Sequence, residues 1–137
     1  MELDINWLAV ALATIFSVIL AVAWYNDALF GKQWRKLTKV TAKDSEKAGN
    51  APMVIVLLAN IVTAVVLAAA INIAAKAFGG SSLLLALGVG FGLWLAFSAT
   101  TLLTHNLFEQ KQPRLTAINN GYQFMLFIGM AMVIGLL

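Results

Sequence analysis

Phe97, Thr101, His105 and Glu109 are spaced by four, so a helix that contains them carries all four on one face, with the carboxylate one turn beyond the imidazole. His105 is the only histidine, and its ordinary pKa of about 6.5 lets it change charge near neutral pH. Beside a carboxylate, an imidazole can relay a proton, bind a small anion or supply half of a metal site. The same two residues serve as a polar cap where a helix meets water. Used as a general base, His105 would need Tyr122 or Asn119 to polarise a substrate oxygen. No nucleophile and no second pair of metal ligands accompanies it, and the chain has no cysteine, which removes disulfides and thiolate chemistry. Catalysis is therefore the least favoured use of these residues, and no metal or cofactor is expected.

Whether these side chains act together depends on the elements that carry them. Hydrophobic residues make up 61% of the 137 and charged residues 11%, against roughly 45–50% and 25% in soluble domains. Four apolar segments account for the excess, over about 5–25, 53–75, 83–103 and 115–137, with connections over 26–52 and 104–114. Twenty-one helical residues rise about 31 Å, enough for a hydrocarbon core of about 30 Å. Inside lipid each backbone polar group must be satisfied within its own segment, and none of the four alternates as a barrel strand would, so all four are expected to be helices. The fold expected is a single all-α domain, an integral-membrane up-down bundle of four transmembrane helices. The first segment, lacking a basic region ahead of it, reads as a retained span rather than a cleaved signal. Small residues recur at every fourth position in the first segment (Ala9, Ala13, Ser17, Ala21) and in the third (Gly88, Gly92, Ala96), which suits close helix approach and, with it, a homo-oligomer.

Eight of the nine basic residues fall in two of the connections: Lys32, Arg35, Lys36, Lys39, Lys43 and Lys47 in the first, Lys111 and Arg114 in the third. Only Lys76 lies on the opposite side. The positive-inside rule then makes the basic connections cytoplasmic and places both termini outside, as expected for a multi-pass protein of the bacterial inner membrane. Basic residues set directly beside spans orient a chain rather than bind nucleic acid, so no nucleic-acid partner is expected. Residues 31–41 read GKQWRKLTKVT, with Trp34, Leu37 and Val40 or Thr41 at helical spacing. That suits a short basic helix on the anionic inner leaflet, with Lys32, Trp34, Arg35, Lys36 and Lys39 as lipid contacts; a solvated basic connector is the alternative. Asp44, with Lys47 three residues on, can open a further helical turn before the Gly49–Asn50 break.

On this topology the polar residues collect at the cytoplasmic end. Tyr25, Asn26 and Asp27 close the first span, Thr101, His105 and Glu109 the third, and Asn119 and Tyr122 open the fourth, so these eight are the candidate solute-binding residues. Asn60 and Asn72, inside the second span, should each face the bundle and find a partner. Trp94 lies at mid-span, where it packs or faces lipid. Gly88, Gly90 and Gly92 are no phosphate loop, since no strand precedes them.

The stretches INWLAVALA from Ile5, AWYNDALFGKQW from Ala23, FGLWLAFSATTLLTHNLFEQKQP from Phe91 and LTAINNGY from Leu115 are similar to a bacterial family of small membrane proteins catalogued as domain of unknown function 1761. That resemblance implies an integral membrane protein of about four helices and carries no assigned activity. From the residues themselves, the leading expectation is a homo-oligomer whose cytoplasmic polar layer binds or passes a small solute or ion. A scaffold that docks on anionic lipid and a protein partner is the second reading, and an enzyme acting on a membrane-soluble molecule the third.

Overall fold

The computed structural model describes residues 2–137, which are all-helical and contain no strand. The helices are α1 (Trp7–Trp24), α2 (Gly31–Thr38), α3 (Ala42–Ala48), α4 (Ala51–Ala77), α5 (Leu83–Leu93), α6 (Thr100–Phe108) and α7 (Pro113–Leu136). A π-helical turn, Trp94–Ala99, joins α5 to α6 without a break, giving one span Leu83–Phe108. That span, α1, α4 and α7 are long and apolar enough to cross a membrane, as a multi-pass membrane protein requires.

Local chemistry explains where the spans start and stop. The Asn6 side chain accepts a hydrogen bond from the Ala9 N–H, and Ser82 Oγ accepts from the Leu85 N–H at 3.0 Å, so each cap satisfies a donor that the first turn leaves free. Prolines 52 and 113 lie in the first turns of α4 and α7, where a missing N–H costs nothing. Gly79 and Gly80, both at positive φ, reverse the chain after α4. The second span is longer than expected at both ends, Ala51–Ala77, and its last turn is tied down by the Lys76 ammonium, which donates to the Glu2 carbonyl.

The third connection is a correction. Residues 104–108, expected in a loop, continue the helix because their polar groups are satisfied there: the Thr104 hydroxyl donates to the Thr100 carbonyl, and the buried Asn106 donates to Thr116 Oγ at 2.9 Å. Only Glu109–Gln112 remain as a turn, with Gln110 in the left-handed region.

α7 packs against α1, α4 and α5, and α4 also packs against α1 and α5. Their shared core holds Val10, Ala64, Leu67, Leu126 and Met130. Lipid is as apolar as these side chains, so close packing rather than water exclusion holds the helices together. Ala9, Ala13 and Ser17 are buried within the chain, and Gly90 lets α5 lie so near α7 that a Cβ there would sit 2.7 Å from Ala131 Cβ. The stripe of the first span is thus used up in internal packing. Gly88, Gly92 and Ala96 point away from the chain.

At the basic end, the chain turns sharply between α1 and α2. The Phe30 and Gly31 N–H groups donate to the Trp24 and Asn26 carbonyls, and a Cβ on Gly31 would sit 2.7 Å from the Asn26 carbonyl carbon, so only glycine fits. α2 ends at Thr38, short of the expected Thr41, because Lys39 adopts a left-handed conformation. Thr41 instead caps α3 in a reciprocal box with Asp44: Thr41 Oγ accepts from the Asp44 N–H and the Asp44 carboxylate from the Thr41 N–H. The Thr41 N–H, and after it the Thr41 hydroxyl, hold the Asp44 pKa below its ordinary value.

Candidate functional site

Between α4 on one side and the π-turn and α6 on the other lies a cleft of about 840 Å³. α4 meets α5, but no substantial contact ties it to α6, so the two spans splay toward the basic end. α1 and α7 form the floor, through Ala21, Tyr25, Asn119, Tyr122 and Phe127. Met53, Val56 and Ala59 on α4 face Phe97, Thr101 and Leu102 across the opening. The cleft deepens from Tyr25 and His105 at the basic end to Phe127, which lies about 20 Å along α7 from its start at the 1.5 Å helical rise.

The π-turn shapes one wall. Widening the helix to an i→i+5 pattern rotates the residues after it relative to those before. The Thr100 N–H returns to the Leu95 carbonyl while the Thr100 hydroxyl donates to Ala96 O at 2.7 Å. Trp94 anchors the turn on α7 by an edge-on contact with Phe124, ring centres 4.9 Å apart. Mid-span Trp94 is therefore a packing residue. Phe97, Ser98, Thr101 and His105 follow down the cleft wall.

The floor is joined by hydrogen bonds and aromatic contacts. Tyr25 donates its hydroxyl to Asn119 Oδ1 at 2.8 Å, and the Trp24 indole N–H donates to the Ile118 carbonyl at 3.1 Å, tying the end of α1 to α7. The Tyr25 ring touches Tyr122 on one side and Trp34 of α2 on the other, at centroid separations of 5.2 and 5.7 Å. Asn60, buried in α4, donates to Ser17 Oγ at 3.0 Å. Tyr122 is 7% exposed, and its hydroxyl, shielded from solvent, makes no well-formed hydrogen bond among the described residues, with the Asn60 side chain the polar group near it. A buried hydroxyl without a partner is costly and calls for an explanation.

A family model described as Protein of unknown function (DUF1761) matches residues 8–135, nearly the whole chain. The chain belongs to that family. No curated protein and no solved structure matches it. The stretches quoted above, from Ile5 to Tyr122, fall almost wholly inside the DUF1761 match, and so do both walls and the floor of the cleft.

Of the eight candidate solute-binding residues, Tyr25, Thr101, His105, Asn119 and Tyr122 line the cleft of this DUF1761 chain. Asn26, Asp27 and Glu109 do not. The turn into α2 swings Asn26 and Asp27 outward, where Asn26 Oδ1 accepts from the Ala28 N–H. Glu109 caps the end of α6, its N–H donating to the His105 carbonyl one turn back, while its carboxylate pairs with Lys111 at 3.0 Å on the surface. No group of three or more metal-ligating side chains forms among the described residues.

Asn60, Thr63, Ser98 and Gln123 join the cleft without having been among the candidates. The signal for Asn60 was in the sequence, a polar residue two turns and more inside an apolar span; Ser98 had none, since only the π-turn brings it to the wall. Of the expected lipid contacts, Lys32, Lys36 and Lys39 are exposed. Trp34 is half-buried on Tyr25, and the Arg35 guanidinium donates to Ser45 Oγ at 3.0 Å and to the Val40 carbonyl, so both serve the chain's own structure.

Proposed function

We propose that this protein is a membrane-embedded binder of a small molecule, held in the cleft by Tyr25, Asn60, Thr101, His105, Asn119 and Tyr122. The observation that carries the reading is a cavity of ligand size whose polar groups come from four separate helices and include a buried hydroxyl without a well-formed hydrogen bond. The apolar core of Ala64, Leu67, Leu126 and Met130 lies beyond the cleft's inner end, which favours binding over free passage through a single chain.

The arrangement fits an up-down bundle in a bacterial inner membrane, with the basic end cytoplasmic and both termini outside; the charge asymmetry supports this orientation. Exposed Lys32, Lys36 and Lys39 suit α2 to rest on anionic lipid. A homo-oligomer is favoured through Gly88, Gly92 and Ala96, which the chain leaves uncovered.

Extracting the protein with its surrounding membrane into polymer nanodiscs, and profiling retained small molecules by mass spectrometry, tests the binding reading. Thr101→Trp fills the cleft, whereas Leu103→Trp adds the same bulk to the outer face of α6. A molecule present in near-equimolar amount with wild type and Leu103→Trp, and lost from Thr101→Trp, is expected. Identical profiles for all three folded proteins would overturn the proposal.

A further inference from the structure

The chemistry of the cleft narrows what it can hold, granted that it is a binding site. Among the described residues, no Asp, Glu, Lys or Arg lines it. The nearest carboxylates in sequence, Asp27 and Glu109, are exposed, and Glu109 already has Lys111 as its partner. A ligand carrying a formal charge down to the level of Asn60 would lose its hydration and gain no counter-charge there, an unfavourable exchange in a medium of low polarity. The occupant is therefore uncharged.

The hydrogen bonds already made show which groups are left over. Asn119 Oδ1 accepts from Tyr25, which leaves the Asn119 amide hydrogens free to donate. The Tyr122 hydroxyl is buried and unpartnered. His105 is exposed at the rim, with no side-chain partner among the described residues, and offers a ring N–H. Asn60 spends one amide hydrogen on Ser17. Donors thus outnumber committed acceptors, and a ligand that satisfies them presents acceptor oxygens such as carbonyls or esters.

The opening gives the third constraint. Every residue of α4 from Ala51 to Ala59 is exposed, and the lips of the cleft, Met53, Val56, Phe97 and Leu102, are apolar. A cleft bordered by apolar side chains and open along the first turns of a transmembrane helix faces hydrocarbon as well as the basic end. Its 840 Å³ accommodates a compact polar head with the first part of a chain, while longer tails remain in lipid.

We infer that the cleft takes an uncharged, membrane-soluble amphiphile of the glyceride class, whose carbonyl or ester oxygens are bound by Tyr122, Asn119 and His105 and which slides in sideways between α4 and α6. The Tyr122→Phe substitution isolates this recognition, because the hydroxyl it removes makes no well-formed hydrogen bond in the protein and has only the Asn60 side chain near it.

The test uses the full chain in phosphatidylcholine nanodiscs with radiolabelled 1,2-dioctanoylglycerol as probe. Saturable binding of one probe per chain is expected, weakened about tenfold by Tyr122→Phe and abolished by Val56→Trp, which blocks the lateral opening. Dioctanoyl phosphatidic acid, with the same chains on an anionic head, and triacetin, with the carbonyls but no long chains, should each bind at least tenfold more weakly. Equal affinity for phosphatidic acid or triacetin overturns the neutral-lipid assignment while leaving a small-molecule site in place. No saturable binding of dioctanoylglycerol, or an affinity that Tyr122→Phe does not change, overturns it as well; the nanodisc profiling then still decides whether the cleft holds some other molecule.

Discussion

The two halves of the spans are built from the same helices and obey different rules. Away from the basic end, α4 buries Ala64, Leu67, Ala68 and Ile71, and α5 buries Ala86 and Gly90. Toward the basic end, Ala51 to Ala59 of α4 are all exposed, and of the π-turn and α6 only Ala99 and Asn106 are buried. Residue size accounts for much of the contrast. In the closed half small residues meet small ones, Gly90 against Ala131 and Gly135 against Ala86, so the backbones come together. In the open half Tyr25, Phe97, Tyr122 and Phe127 line a gap between the helices together with polar groups. Stability is therefore concentrated in one half and the capacity for recognition in the other.

The sharpest way to break this division is to add bulk on opposite faces of α5. Gly90→Val places methyl groups against Ala131 and the Phe127 carbonyl and is expected to cost about 2–3 kcal/mol. Gly92→Val meets nothing within 4 Å and should change stability by less than about 0.5 kcal/mol. Helical circular dichroism followed through a mixed-micelle denaturant titration measures both. Equal costs would mean that the closed half is not the seat of stability.

Much of this division could be read in the amino-acid sequence, and the unread part has identifiable physical causes. Four runs of apolar residues of membrane length predict four spans directly, and placing them antiparallel brings Tyr25, Thr101, His105, Asn119 and Tyr122 to one level. Helix ends are less legible, because a turn of polar residues suits either helix or loop until its partners are known. Asn106 found Thr116 and kept its segment helical; Glu109 fell just beyond, and its carboxylate took Lys111 as partner. The π-turn has no local signature at all. It depends on Trp94 meeting Phe124, a contact between residues thirty positions apart. α3 was half legible: Asp44 suggested a turn, while Thr41, the other half of its capping box, had been assigned to the helix before it.

Asn60 lies on the boundary between the two halves, and the next prediction concerns that boundary. It donates to Ser17 across the α1–α4 contact and also lines the cleft. Interhelical hydrogen bonds in membranes are worth about 0.6 kcal/mol and at most about 1.7. Asn60→Leu is thus expected to cost about 1 kcal/mol, less than Gly90→Val. In a double-mutant cycle with Ser17→Ala the coupling should be near 0.6 kcal/mol. Strict additivity would show that the Asn60–Ser17 bond does not hold the boundary, and that Asn60 serves the cleft alone.

The smallest effect is expected outside the spans, in α3, where nothing is buried and order rests on the capping box. Asp44 has a pKa below its ordinary value, chiefly through the Thr41 N–H and then the Thr41 hydroxyl. A carboxylate whose pKa is lowered on folding stabilises the folded form above its unfolded value of about 3.9, and that contribution is lost as pH falls through the folded value. Backbone chemical shifts of Ala42–Ala48 should therefore stay helical down to about pH 4 and move toward coil below it, while those of α1, α4, α5 and α7 stay put. An Asp44→Ser variant should show no such acid transition in α3. If the spans lost their structure at the same pH as α3, the closed half would depend on the charge of the basic end, and the separation of stability from recognition along these helices would fail.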